Sequence, residues 1–87
     1  MSSFKAKITD PIGMHARPAA IVVKKASKYS STIKIKVNGR EGNLKSIMNI
    51  MALGVKTGTE VEIEAIGKDA DVAIAGIKRA MKDNKLV

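Results

Sequence analysis

Cysteine and tryptophan are absent from the 87 residues, proline occurs twice, and Phe4 and Tyr29 are the only aromatic side chains. Without a thiol there is neither a disulfide framework nor a thiolate metal site. The lone histidine, His15, has no companion ligand, so no metal centre is expected. Two aromatics, with Phe4 expected in the core, give no stacking platform for single-stranded nucleic acid, and no helix-turn-helix or zinc-finger spacing is present. No apolar run approaches the ~18 residues of a membrane helix, and Met1 to Lys7 lacks the apolar core of a secretory signal. The expectation is a single cytoplasmic domain over residues 1–87 that works as a monomer, without cofactor, membrane insertion or nucleic acid.

Positive charge is what the chain has in excess. Sixteen Lys and Arg against eight Asp and Glu give a net +8, which favours an acidic partner. A nucleic-acid module would explain that charge, but the missing aromatics and motifs favour an acidic protein face.

The periodicity changes along the chain. Phe4, Ala6 and Ile8 alternate with Lys5 and Lys7, a strand with one wet face. After the Pro11-Ile12-Gly13 break, Ala19, Val22, Val23 and Ala26 form one helical stripe within about Ala16 to Lys28, with Pro18 in the first turn. Ile33, Ile35 and Val37 alternate with Lys34 and Lys36, and Asn38-Gly39 turns the chain into a short polar strand, Arg40 to Asn43. Ser46 is placed as the N-cap of a second helix that Gly54 ends. Val61, Ile63 and Ala65 alternate with Glu60, Glu62 and Glu64, and Asp69 is placed as the cap of a last helix whose buried stripe is Ala70, Ala73, Ile74, Ile77, Ala80 and Met81.

The order is β-α-β-β-α-β-α, an α+β arrangement in which three helices cover one face of a four-stranded antiparallel sheet. Strands one and two turn Lys outward and strand four turns Glu outward. Setting strand four between them neutralises the face and gives the order 1-4-2-3.

His15 lies at the start of the first helix, before Ala16, Arg17 and Pro18. A lone histidine is commonly a surface or capping residue. Its context adds the unpaired N–H groups of Ala16 and Arg17 and the positive end of the helix dipole, which together favour an anion. Neutral imidazole is a nucleophile. Toward a phosphoryl group, these N–H groups and the Arg17 guanidinium would balance the oxygen charge, so one segment would supply both attacking atom and cradle. A hydrolase would need a second acid/base group, which only Asp10 could supply.

In the second helix Ile47, Met48, Ile50, Met51, Ala52 and Leu53 leave Asn49 as the one polar interior residue. With Ile50 and Leu53 toward the sheet, Ile47, Met48 and Met51 are either an exposed protein-binding patch or packed against a neighbouring helix. Ser46 needs no role beyond capping, yet a phosphate there would suit the dipole and add negative charge beside the patch. Arg17, Lys24, Lys25, Lys28, Lys45 and Lys56 form either a steering rim or an ordinary solvated face.

The segment Gly13-Met14-His15-Ala16-Arg17-Pro18-Ala19, with Lys45-Ser46-Ile47-Met48 and Met51-Ala52-Leu53-Gly54 downstream, resembles HPr, the histidine-containing phosphocarrier family of the bacterial phosphoenolpyruvate:sugar phosphotransferase system. The resemblance spans essentially the whole chain and implies an open-faced β-sandwich that carries phosphate without being a stand-alone catalyst. It implies that enzyme I phosphorylates Nδ1 of His15, that a histidine of a sugar-specific enzyme IIA receives the group, and that Arg17 neutralises it. It also implies that Ser46 matches the serine modified by HPr kinase/phosphorylase, and that Ala16, Ala20, Ile47, Met48 and Met51 match partner-docking positions. Ile12 and Ala20 stand where the family often has polar residues, so side-chain help to the phosphate from those positions is lost.

Overall fold

In a computed structural model describing residues 1–87, the alternating segments form β1 (Ser2–Lys7), β2 (Thr32–Val37), β3 (Arg40–Asn43) and β4 (Glu60–Ile66). The helical stripes form α1 (Ala16–Ala26), α2 (Ile47–Leu53) and α3 (Ala70–Asp83). The sheet is antiparallel and ordered β1-β4-β2-β3, the order that the charge alternation predicts. Twenty apolar residues make one core between one sheet face and the helices, with Ile33, Ile35, Ile63, Val22, Ile50 and Ile77 essentially free of solvent contact. No buried side-chain nitrogen or oxygen lacks a hydrogen-bond partner.

Two boundaries and two pairings differ from the sequence reading. Ile8 falls beyond β1, where it donates to the Thr59 carbonyl at 2.9 Å and accepts from Gly58 N–H at 2.7 Å, so the ladder continues against a loop. Helix α1 stops at Ala26 rather than Lys28 because the N–H groups of Lys28 and Tyr29 bond three residues back, to Lys25 and Ala26, the tighter winding that ends many helices. Lys5 and Lys7 stand opposite Glu62 and Glu60 in register but form no ion pair. On the open face the pairs are the diagonal Lys36–Glu64 at 3.1 Å and Lys34–Glu41 at 3.6 Å. The hydrogen bond to Glu64, then its charge, holds the Lys36 ammonium above its ordinary pKa.

Asp69 does not cap α3. Its backbone (φ −102°, ψ 23°) is not in the extended conformation that turns an N-cap side chain onto its own helix. The carboxylate instead accepts the Ser30 N–H at 2.8 Å, the Ser31 N–H at 3.0 Å and the Ser31 hydroxyl, pinning the α1–β2 connection. Those bonds, the Ser31 hydroxyl foremost, lower its pKa to about 2. The adjacent Tyr29 lies on α3 at Gly76, where a Cβ would come within 2.0 Å of the phenol oxygen.

Candidate phosphoryl-accepting site

The His15 loop is held from both sides. Gly13 has φ +88°, and a Cβ there would stand 2.7 Å from the Val55 carbonyl oxygen, so only glycine fits. That carbonyl accepts the Met14 N–H at 2.9 Å, and the Met14 side chain is buried. Across the loop, the Leu86 carbonyl accepts the N–H groups of Thr9 at 2.8 Å and Asp10 at 3.3 Å.

His15 is the N-cap of α1 with extended backbone (φ −87°, ψ −177°), and its side chain makes no capping bond. The first helical bond runs from Ala19 N–H to the His15 carbonyl at 3.0 Å. The N–H groups of Ala16 and Arg17 therefore donate to nothing within the protein, and Pro18 has none to give. Arg17 is exposed and has no carboxylate partner. A shallow depression of about 100 Å³ is lined by Asp10, His15, Arg17, Pro18, Ile21 and Asn84, the volume of a few water molecules. Larger hollows lie over the sheet among Lys and Glu side chains, away from the imidazole. The arrangement gives a small anion two backbone donors and a guanidinium beside a half-exposed imidazole.

Asp10 is the residue the sequence reading undervalued. Its Oδ1 lies 3.7 Å from His15 Nε2. The signal was the Asp-Pro-x-Gly turn: Asp10 Oδ1 accepts the Ile12 N–H at 2.9 Å, and its carbonyl accepts the Gly13 N–H at 2.9 Å.

Ala16, Ala20 and Lys24 are exposed at four-residue spacing along α1. In α2, Ser46 accepts the Asn49 N–H at 3.2 Å and the Asn49 side-chain amide at 3.1 Å, and Gly54 closes the helix at φ +61°. Ile50 is fully buried, whereas Ile47, Met48 and Met51 are 40%, 82% and 43% exposed. The apolar surface is thus uncovered rather than packed on another helix. Val55 follows this helix and bonds Met14, which couples the two regions through one peptide contact. Lys45 leaves the expected basic rim, since its ammonium donates to the Tyr29 carbonyl at 2.7 Å. Lys24, Lys28 and Lys56 remain exposed.

Comparison with known proteins gives the family of the chain. Residues 2–83 match the family described as the PTS HPr component phosphorylation site. The phosphocarrier protein HPr of Mycoplasma capricolum is 56% identical over 87 residues, covering 100% of this chain and 98% of that protein. A solved histidine-containing phosphocarrier protein of Mycoplasma superposes with a TM-score of 0.97 at 56% identity, covering 99% of this chain and 98% of that one. HPr from Thermoanaerobacter tengcongensis superposes with a TM-score of 0.91 at 40% identity, over 99% and 96% of the two chains. These matches define a phosphoryl carrier rather than a stand-alone catalyst. The chain belongs to the HPr family of the sugar phosphotransferase system.

Proposed function

We propose that this chain accepts a phosphoryl group from phosphorylated enzyme I on Nδ1 of His15 and delivers it to a histidine of a sugar-specific enzyme IIA. The observation that carries this reading is the uncapped, half-exposed His15 ring at the start of α1, with the undonated N–H groups of Ala16 and Arg17 and the free Arg17 guanidinium beside it. The Nδ1 lone pair forms the new bond to phosphorus while the bond to the donor atom breaks, its electron pair leaving with the donor. Delivery reverses these roles. Arg17 and the N–H of Ala16 compensate the charge on the phosphoryl oxygens, and such preorganised donors do most of the work in phosphoryl transfer. A shallow site also suits a carrier, which must give the group away as readily as it takes it.

Ala16, Ala20, Lys24, Ile47, Met48 and Met51 form the docking surface in this reading. Their exposure supports it, as does their combination of positive charge with uncovered apolar area. Ser46 is the regulatory position, open to HPr kinase/phosphorylase, where a phosphate would add negative charge beside Ile47 and Met48. The chain works as a cytoplasmic monomer. Intact-mass spectrometry after incubation with enzyme I and phosphoenolpyruvate should show one acid-labile phosphate. A phosphate that persists in His15→Ala, or none in the wild type beside an enzyme I active on another HPr, would refute the assignment.

A further inference from the structure

We propose that Asp10 is a positioning residue: its carboxylate keeps the proton of the neutral His15 ring on Nε2 and so leaves the Nδ1 lone pair free for phosphorus. The inference rests on the carrier reading above and specifies how the ring is prepared for it. Asp10 Oδ1 lies 3.7 Å from Nε2, and the two side chains are 20% and 33% exposed. At that distance they are not hydrogen-bonded, yet the charge still discriminates. A carboxylate oxygen attracts an Nε2–H dipole and repels an Nε2 lone pair, and partial burial limits screening.

The carboxylate is fixed in place. Its Oδ1 is anchored by the Ile12 N–H at 2.9 Å, and the Asp10 backbone is held by Gly13 N–H at 2.9 Å and by the Leu86 carbonyl at 3.3 Å. On the same depression, the only other charged side chain is Arg17, which is suited to the phosphoryl oxygens instead. The two charges divide the labour.

The chemistry follows from the electron count. When Nδ1 bonds to phosphorus while Nε2 keeps its hydrogen, the ring becomes a cation, which the Asp10 carboxylate balances. No proton enters or leaves the ring in that step. On delivery the Nδ1–P electron pair returns to nitrogen and the departing group is neutral imidazole rather than an imidazolate, again without proton transfer. A carrier prepared in this way exchanges phosphate with partners that supply no acid or base at the ring.

Asp10→Asn tests this because the amide oxygen can still accept the Ile12 N–H and keep the turn while the charge is lost. Long-range ¹H–¹⁵N spectra of the imidazole in the whole protein should show the Nε2–H tautomer dominating the neutral ring of the wild type. In Asp10→Asn the tautomer ratio should shift roughly fivefold toward Nδ1–H, to the ratio of an unstructured histidine peptide in the same buffer. Phosphoryl acceptance from phosphorylated enzyme I should fall about tenfold in kcat, chiefly because the ring cation formed on transfer loses its counter-charge, with KM changed less than about twofold, and Asp10→Glu should recover part of both signals. Amide spectra matching the wild type establish that the variant is folded. Identical tautomer ratios in wild type and Asp10→Asn would overturn the proposal, as would an unchanged kcat. If the wild type itself takes no phosphoryl group, the carrier reading fails, while the tautomer comparison still decides what Asp10 does to the ring.

Discussion

His15 and Ser46 occupy the same position on two helices, the N-cap, and use it in opposite ways. Ser46 spends its hydroxyl on Asn49, accepting both its backbone and side-chain N–H groups, and so closes the start of α2. His15 caps nothing, leaving its ring and the N–H groups of Ala16 and Arg17 unengaged. The contrast separates stability from reactivity. A side chain satisfied within the fold must be released before it can react, whereas one left unsatisfied costs some helix stability and stands ready.

The sharpest way to break this comparison is His15→Ala. It should abolish phosphate incorporation, read by intact mass, while the unfolding free energy changes by less than about 0.5 kcal/mol, because no cap bond is lost. Arg17→Ala follows, with phosphoryl acceptance from phosphorylated enzyme I falling roughly 100-fold at nearly unchanged stability. Gly13→Ala should destabilise by about 2 kcal/mol in urea unfolding, since a side chain at φ +88° must also displace the Val55 carbonyl. Ser46→Ala should cost about 1 kcal/mol in the same assay and leave His15 phosphorylation intact. Ser46→Asp should keep the cap but slow transfer from enzyme I, a rise in KM, by placing charge beside Met48.

The smallest expected effect is present at neutral pH, is lost only in acid, and involves Asp69 at the start of α3, whose carboxylate is spent on Ser30 and Ser31. Its pKa of about 2 in the folded chain lies below the ordinary 3.8. Its contribution is therefore complete above an ordinary carboxylate's titration range and is lost as the pH falls from there toward the folded value. Wild type and Asp69→Asn should accordingly differ most in thermal midpoint near neutrality and converge at the acid end. Parallel curves over the whole range would show that Asp69 is not the group responsible.

Much of the fold was legible because the relevant information is local. Alternating Lys and Glu on strands two and four identified both the period and the neighbour, and Asn38-Gly39 fixed the hairpin between β2 and β3. Ser46 and Gly54 were readable for the same reason, since a cap and a left-handed terminus are decided within a turn. Asp69 was misread because its partners lie 38 and 39 residues away, and nothing near Asp69 in sequence signals them. The site divided along the same line. The Ala16 and Arg17 donors follow from the start of a helix, but the proximity of Asp10 to the imidazole depends on how the loop folds back between Val55 and Leu86. Whether Met48 and Met51 were covered was likewise a tertiary question, answered by their exposure.

The two outer strands bear on how copies of this chain behave together at high concentration. β1 and β3 are the sheet's edges, and an edge with open backbone donors and acceptors is the template on which sheets of separate molecules join; on β3 the Asn43 N–H and carbonyl are already taken by Asn49 and Ser46. Here β1 carries exposed Lys5 and Lys7, and β3 is four residues long with Arg40 and Glu41 exposed. Joining β1 to β1 would bring like charges together on molecules that already repel through a net +8. That repulsion has a range of about 8 Å at physiological ionic strength and about 3 Å in molar salt, so light scattering should find the second virial coefficient falling steeply as salt is added.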